Sequence, residues 1–297
     1  MRSVPIDQGL IDRAIDGDKE AFAILVRATG SRSLIVAERI LRSPDDAVSA
    51  ARKLFVLAYR NLKKLKDLGV LELWLMQNLV RLCGESLKDA AKKGVALPVE
   101  CDSPRNLAEA GLLDTVGAAD DAAGLPGTVG AVDSTSSASR AEARRGAVKK
   151  AVDCLPFLER TAVIFRDWDG ISYLEVAEIL RVKQDDLRKL LVRGRKHVAD
   201  MLTPSGQADR EVDKKAAQRR RECEKTHDRI WLFVGGEIGP VEQAGIITHL
   251  GQCPACKDVL GRASTVLEAI RDAAPLEDKP LIAPEMLWKE VEPLLAK

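Results

Sequence analysis

His249, Cys253 and Cys256 form a His-x3-Cys-x2-Cys pattern late in this chain of 297 residues. Residues four apart share one helical face, so a helix through His249 places its imidazole beside the Cys253 thiol. Pro254 then permits a turn that brings Cys256 in from the helix end. Three donors of this kind are one short of the tetrahedral nitrogen-and-sulfur shell of a structural zinc ion. Cys223, 26 residues upstream of His249, is the natural fourth. His227, one helical turn after Cys223, competes for that place or stands beside the site. The spacing predicts Zn2+ held by Cys223, His249, Cys253 and Cys256 in a small helical domain. Four protein ligands leave no open position for a substrate or an activated water, so such an ion is not catalytic. A redox switch is the other use of these thiols, with oxidation of Cys253 and Cys256 expelling the metal.

The rest of the chain sets the frame for that site. Cys83, Cys101 and Cys154 stand alone, which argues against a disulfide framework. Only 4% of residues are aromatic, while Ala, Leu, Val and charged residues abound, which favours helices over sheet. Net charge is +1, so any basic surface must be local. No apolar run reaches the roughly 18 residues of a membrane span, and no signal-peptide core opens the chain. The expectation is a cytoplasmic protein with no membrane partner. No glycine-rich phosphate loop, His-Glu-x-x-His or Ser/His/Asp grouping is visible, so a non-enzyme is expected.

Periodicity divides the chain. Residues 1–93 read as a helical domain. Leu10, Ile11, Ala14 and Ile15 form a first stripe ended by Gly17, and Asp18 caps a helix carrying Ala21, Phe22, Leu25 and Val26. Leu34, Ile35, Ile40 and Leu41 predict a third helix. Ser43-Pro44-Asp45-Asp46 then punctuates the chain before the stripes Ala50, Leu54, Leu57, Ala58 and Leu71, Trp74, Leu75, Leu79, Leu82. Residues 94–143 are rich in Pro, Gly and Ser and read as a flexible linker, with a short helix allowed from Arg105 to Leu113. Residues 144–203 return to helical spacing, with one helix through Val148, Val152 and Leu155 and a second from Arg160 to Trp168. After the Asp169-Gly170 turn, Ser172 and Glu175 make a capping box for a short helix. A turn at Arg181 to Gln184 leads to a longer helix, Asp185 to Leu202, and the pair has helix-turn-helix form. Residues 204–221 read as a polar linker, and 222–297 as the zinc-binding domain with helices at Ala263–Ala273 and Pro284–Leu295. The expected class is all-α: two helical domains, the second with a helix-turn-helix, plus a small helical zinc-binding domain.

The longer helix of the pair is basic. Arg188, Lys189, Arg193, Arg195 and Lys196 are candidate DNA-binding residues, because a helix in the major groove needs long cationic donors for phosphates and guanine edges. Leu187, Leu190, Leu191 and Val198 would hold it on its domain. A merely solvated charged face is the alternative use of such a pattern. His197 is expected at the surface or facing phosphate.

The order of these parts resembles a known family. Leu155-Pro156 with Arg160, Asp169-Gly170-Ile171-Ser172-Tyr173, Glu175 to Leu180 and Arg193-Gly194-Arg195-Lys196 are similar to region 4 of sigma-70-type factors, especially the extracytoplasmic-function group. Gly17-Asp18, Ala21-Phe22, Leu25, Pro44 to Ala47 and Trp74-Leu75 resemble region 2. Cys223 with the His-x3-Cys-x2-Cys, together with Ile230-Trp231-Leu232, Gly235 to Ile238 and Val241-Glu242, resembles the zinc-binding anti-sigma domain. The resemblance implies a transcription initiation factor whose partners are promoter DNA and RNA polymerase core. It also implies an attached zinc module that regulates it or receives a regulatory protein partner. Departures from the pattern favour another role, a sigma-like scaffold working through protein contacts without promoter activity. Arg52 and Lys53 stand where the family has an acidic, glutamine-containing clamp-binding segment. Asp185 and Asp186 open the recognition helix, and Gly194 replaces the usual Ala.

Overall fold

The computed structural model of the chain describes residues 7–65, 68–93, 134–202, 214–275 and 282–295. Among them every regular element is helical, and no helix is long and apolar enough to cross a membrane. Cys101 and the helix allowed from Arg105 to Leu113 lie outside the described residues. The described residues form two units, the first from 1–98, 174–183 and 275–297, the second from 99–173 and 184–274.

The first unit begins with α1 (Gln8–Ile15) and α2 (Lys19–Leu41). Both starts are local chemistry. Asp7 accepts from the Leu10 N–H at 2.8 Å, and Asp18 accepts from those of Glu20 and Ala21 at 2.9 and 3.1 Å, each filling an orphan donor of the first turn. Gly17 provides the left-handed residue between them at φ 97°. The two helices expected between residues 18 and 41 are one helix of 23 residues. Gly30 lies inside it, buried among helix neighbours. A lone glycine lowers helix propensity by about 1 kcal/mol but does not end a helix that packing supports on both sides.

Ser43 caps α3 (Pro44–Asn61), with Pro44 in the first turn, and α4 (Leu68–Lys92) completes the N-terminal set. Ile11, Phe22, Val26, Ile40, Leu54, Phe55 and Leu79 fill the core between these helices. The helix at Pro284–Val291, which belongs to the zinc-binding domain in the sequence reading, lies in this unit on α2 and α3. Leu287 and Val291 are fully buried there, the Trp288 ring meets Phe22 edge-on at 6.2 Å, and Glu290 pairs with Arg52 at 3.4 Å. The physical reason is cover: three apolar side chains on one face of eight residues find their complement across Gly30, where an added Cβ would come within 3.1 Å of Leu287. Residues 174–183 also belong to this unit, with the Gln77 amide donating to the Glu178 carbonyl at 2.9 Å and accepting from Arg181 at 2.8 Å.

The second unit contains α5 (Ser134–Asp153) and α6 (Phe157–Val163), so the segment expected as a linker up to 143 becomes helical at Ser134. α6 runs into a wider π-type turn, Ile164–Trp168, in which the Asp169 N–H reaches back five residues to the Ile164 carbonyl at 2.9 Å. In chain order the short helix α7 (Tyr173–Leu180) follows, all but Tyr173 in the first unit, and the second unit resumes with α8 (Gln184–Leu202), the basic helix. After it come α9 (Lys214–Gly235), α10 (Pro240–Gln252) and α11 (Pro254–Asp272); the helix at Pro284–Val291 is α12. The polar linker expected to reach 221 is already helical at Lys214. α11 packs on α9, α5 and α8, and the Trp168 indole N–H donates to the Ile270 carbonyl at 2.8 Å. Residues 223–274 therefore share one core with the helices at 134–173 and 184–202, rather than standing apart as a separate body.

Candidate metal centre and basic helix

The four predicted ligands come together from three helices. Cys223 lies on α9 and His249 in the last turn of α10. Cys253 has an extended backbone between α10 and α11, Pro254 opens α11, and Cys256 sits in its first turn. Their ligand atoms all lie within 4.8 Å of one another. Cys223 Sγ is 3.7 Å from Cys253 Sγ and 3.8 Å from His249 Nε2, and His249 Nε2 is 3.3 Å from Cys256 Sγ. Zinc–sulfur bonds of about 2.3 Å set at tetrahedral angles require sulfur–sulfur edges of about 3.8 Å, so the donor set fits such an ion.

The thiols are inequivalent. The Cys256 backbone N–H, with help from other donors of the α11 N-terminus, draws the Cys253 thiol below its ordinary range. Burial, with the neighbouring sulfurs, pushes Cys256 up to about 12. Packing three sulfurs this closely is unfavourable for thiolates alone, and a divalent cation is what such a cluster is suited to hold. His227, the competitor for the fourth position, is not in the group.

The five basic residues separate by their place on α8. Arg193 and Lys189 are more than half exposed, and each pairs inside its own segment, with Glu159 and Asp186 at 3.0 Å. Arg188 lies 3.9 Å from Glu242 of α10, and Lys196 pairs with Asp228 of α9. Arg195 is fully buried. Its Nε and Nη2 donate to the two Asp167 oxygens at 3.0 and 2.7 Å, and Nη1 and Nη2 donate to the two Glu237 oxygens at 2.9 Å each. Burial works against its charge, but Asp167 and Glu237 outweigh that and hold the guanidinium protonated well above its ordinary range. The expectation that Arg195 reaches phosphate is corrected on this point: in this conformation its donors are spent internally. The cause is helical phase, because Arg195 is four residues after Leu191 and three before Val198, both fully buried. His197 is about half exposed, with Nδ1 2.8 Å from Glu159.

Sequence reasoning passed over Glu159, Arg166 and Asp167, and met Glu237 only as part of the Gly235 to Ile238 stretch. The signal for Glu237 was available in the Gly235-Gly236 pair before it, since paired glycines mark a place of close backbone approach. Gly236 has φ 76°. Arg160, quoted for its motif position, is buried and donates to the Asp153 and Leu155 carbonyls at 3.1 and 3.3 Å, closing the end of α5.

Comparison with known proteins follows the same division. Residues 145–198 match the family model for sigma-70, region 4, and residues 223–257 match a zinc-finger family model. The RNA polymerase sigma-H factor of Pseudomonas aeruginosa is 24% identical over 198 residues, which cover 67% of this chain and 94% of that protein. The ECF RNA polymerase sigma-E factors of Escherichia coli and Salmonella typhimurium are each 23% identical over 198 residues, covering 67% of this chain and 95% of theirs. About two-thirds of the chain is thus similar to RNA polymerase sigma factors, with a stretch similar to sigma-70 region 4 at 145–198, and a stretch similar to a zinc finger follows at 223–257.

Proposed function

We propose that the chain is a transcription initiation factor of the extracytoplasmic-function sigma type, which binds promoter DNA and RNA polymerase core and is regulated in cis by its zinc-binding module. The observation that carries this reading is the pairing of module and basic helix: Asp228 meets Lys196 and Glu242 faces Arg188, within a core shared by α8, α9 and α11. Carboxylates presented to a basic helix compete with phosphates for the same cations. Lys189 and Arg193 remain most exposed for DNA, with Arg188 and Lys196 joining them when the module moves. Zn2+, held by Cys223, His249, Cys253 and Cys256, supplies the cross-link that ties α9, α10 and α11 into one piece.

A second reading is favoured by Arg52 and Lys53. With Arg60 and Arg81 they rim a groove whose floor includes Val56, Leu57, Leu82 and Leu294. A cationic rim over an apolar floor suits an acidic protein partner, as a scaffold without promoter activity would use. Purified core polymerase separates the two. Under the first reading the zinc-loaded chain co-purifies with core and directs promoter-dependent transcription, more strongly when Asp228 and Glu242 are both changed to Lys. Arg193→Ala should weaken promoter binding and lower the slope of log affinity against log salt by about 0.9 if it contacts one phosphate. Core binding without transcription from any promoter, in either form, would favour the scaffold.

A further inference from the structure

The end of α9 carries an acidic side chain in an unusual setting. Glu237 follows Gly235-Gly236 and its side chain is fully buried. Both of its oxygens are occupied by guanidinium groups from the region-4-like helices. Oε1 accepts from Arg166 Nε and from Arg195 Nη2, and Oε2 from Arg195 Nη1, all at 2.9 Å. The same two arginines donate to the last turn of α9, Arg166 Nη2 to the Gly235 carbonyl and Arg195 Nη1 to the Trp231 carbonyl, both at 3.1 Å. These carbonyls lie at the negative end of the helix dipole, which adds to the attraction.

The backbone is shaped for this contact. A Cβ on Gly235 would fall 1.9 Å from Glu237 Oε2 and 2.4 Å from Arg195 Nη1, so no side chain fits there while the carboxylate is in place. On the other side, Arg166 and Asp167 both lie on the π-type turn, and Asp167 occupies the edge of Arg195 that Glu237 leaves free. The four charges balance as two cations and two carboxylates. Only three of them belong to the region-4-like helices. Without Glu237 that segment holds two guanidinium groups against one carboxylate, in a buried place where an uncompensated charge is costly.

We infer that Arg166 and Arg195 form an anion-binding notch on the region-4-like segment, specific for a carboxylate, and that Glu237 fills it in cis as the fastening point of the zinc module. The flanking pairs Lys196–Asp228 and Arg188–Glu242 are partly exposed and contribute little beside it. Fastening by charge, rather than by the apolar contacts of α11 alone, makes the docked module sensitive to one side chain. The consequence for DNA rests on the proposed function; the notch itself does not.

The test uses the full-length, zinc-loaded chain and native-state hydrogen exchange at α8 and α11. Glu237→Gln and Gly235→Ala should each raise exchange there by about a hundredfold or more, since neutralising the carboxylate, or displacing it with a Cβ, strands the guanidinium groups in a buried site. Zinc content should be unchanged, which separates undocking from misfolding of the module. Asp228→Asn should stay within about threefold of the parent protein. In Glu237→Ala, acetate should restore protection saturably, and chloride at equal ionic strength should not. Exchange in Glu237→Gln and Gly235→Ala within about threefold of the parent would overturn the fastening role. Acetate acting no better than chloride would overturn the notch. Neither result depends on promoter binding or polymerase, so either can fail while the sigma reading stands.

Discussion

Gly194→Ala is the substitution for which helix propensity and packing give opposite answers. In a helix interior Ala is favoured over Gly by about 1 kcal/mol, so α8 alone would gain from the change. The structure places the new Cβ 2.9 Å from Val163 Cγ2, 3.4 Å from the Glu159 carbonyl oxygen and 3.5 Å from Glu159 Cβ. Val163 is fully buried in α6 and β-branched, so its methyl cannot swing aside without leaving its rotamer. Over-packing of this kind costs about 1–3 kcal/mol. The net expectation is a destabilisation of up to about 2 kcal/mol, centred near 1. Val163→Ala removes the obstructing methyl at a cost of about 2 kcal/mol. In that background Gly194→Ala should instead stabilise by about 1 kcal/mol, giving a coupling energy near 2 kcal/mol. Urea denaturation of the zinc-saturated proteins measures this, with Trp74 and Trp288 replaced by Phe so that Trp168 and Trp231 report the second unit. Stabilisation by Gly194→Ala in the parent, with a cycle that closes within about 0.5 kcal/mol, refutes the close-packing argument.

Two further outcomes follow from the metal centre and from α12. One zinc per chain is expected, retained in His227→Ala and lost in Cys253→Ser. Affinity should fall as pH falls because protons compete for the thiolates, most strongly at Cys256, whose thiol is pushed up to about 12; zinc content by chelator competition between pH 6 and 8 measures this, and a flat profile counts against thiolate ligation. Trp288→Ala should destabilise the first unit by about 3 kcal/mol, as for a large buried aromatic. A loss under about 1 kcal/mol in urea denaturation would mean that α12 only rests on α2 and α3.

What could be read in advance was what local chemistry decides. Asp18 caps its helix where the sequence puts it, and Ser43-Pro44 opens α3 where the chain is punctuated, because such starts depend on residues within one turn. His249, Cys253 and Cys256 were legible for the same reason, while Cys223 needed the added inference that a distant helix returns to them. Arg195 was read as a DNA contact from its charge, although its spacing from Leu191 and Val198 places it on the apolar stripe; it is buried on Asp167 and Glu237, partners far away in sequence. The destination of Leu287, Trp288 and Val291 was not legible either. An amphipathic stripe states that a helix must be covered and leaves open by what. Gly30 shows the same limit from the other side, as a helix breaker by propensity that packing keeps inside α2.

The return of α12 to the first unit gives that unit a history during synthesis. Its first four helices leave the ribosome together, but the helix that lies against Phe22 and Gly30 follows roughly two hundred residues later. At about 5–20 residues per second, the interval is on the order of 10–40 s. Throughout it α2 lacks the cover that Leu287 and Trp288 later give it, and that strip is open to chaperones or to any binding partner that arrives first. Order of manufacture thus gives outside molecules a period of access to a surface that the finished chain closes over.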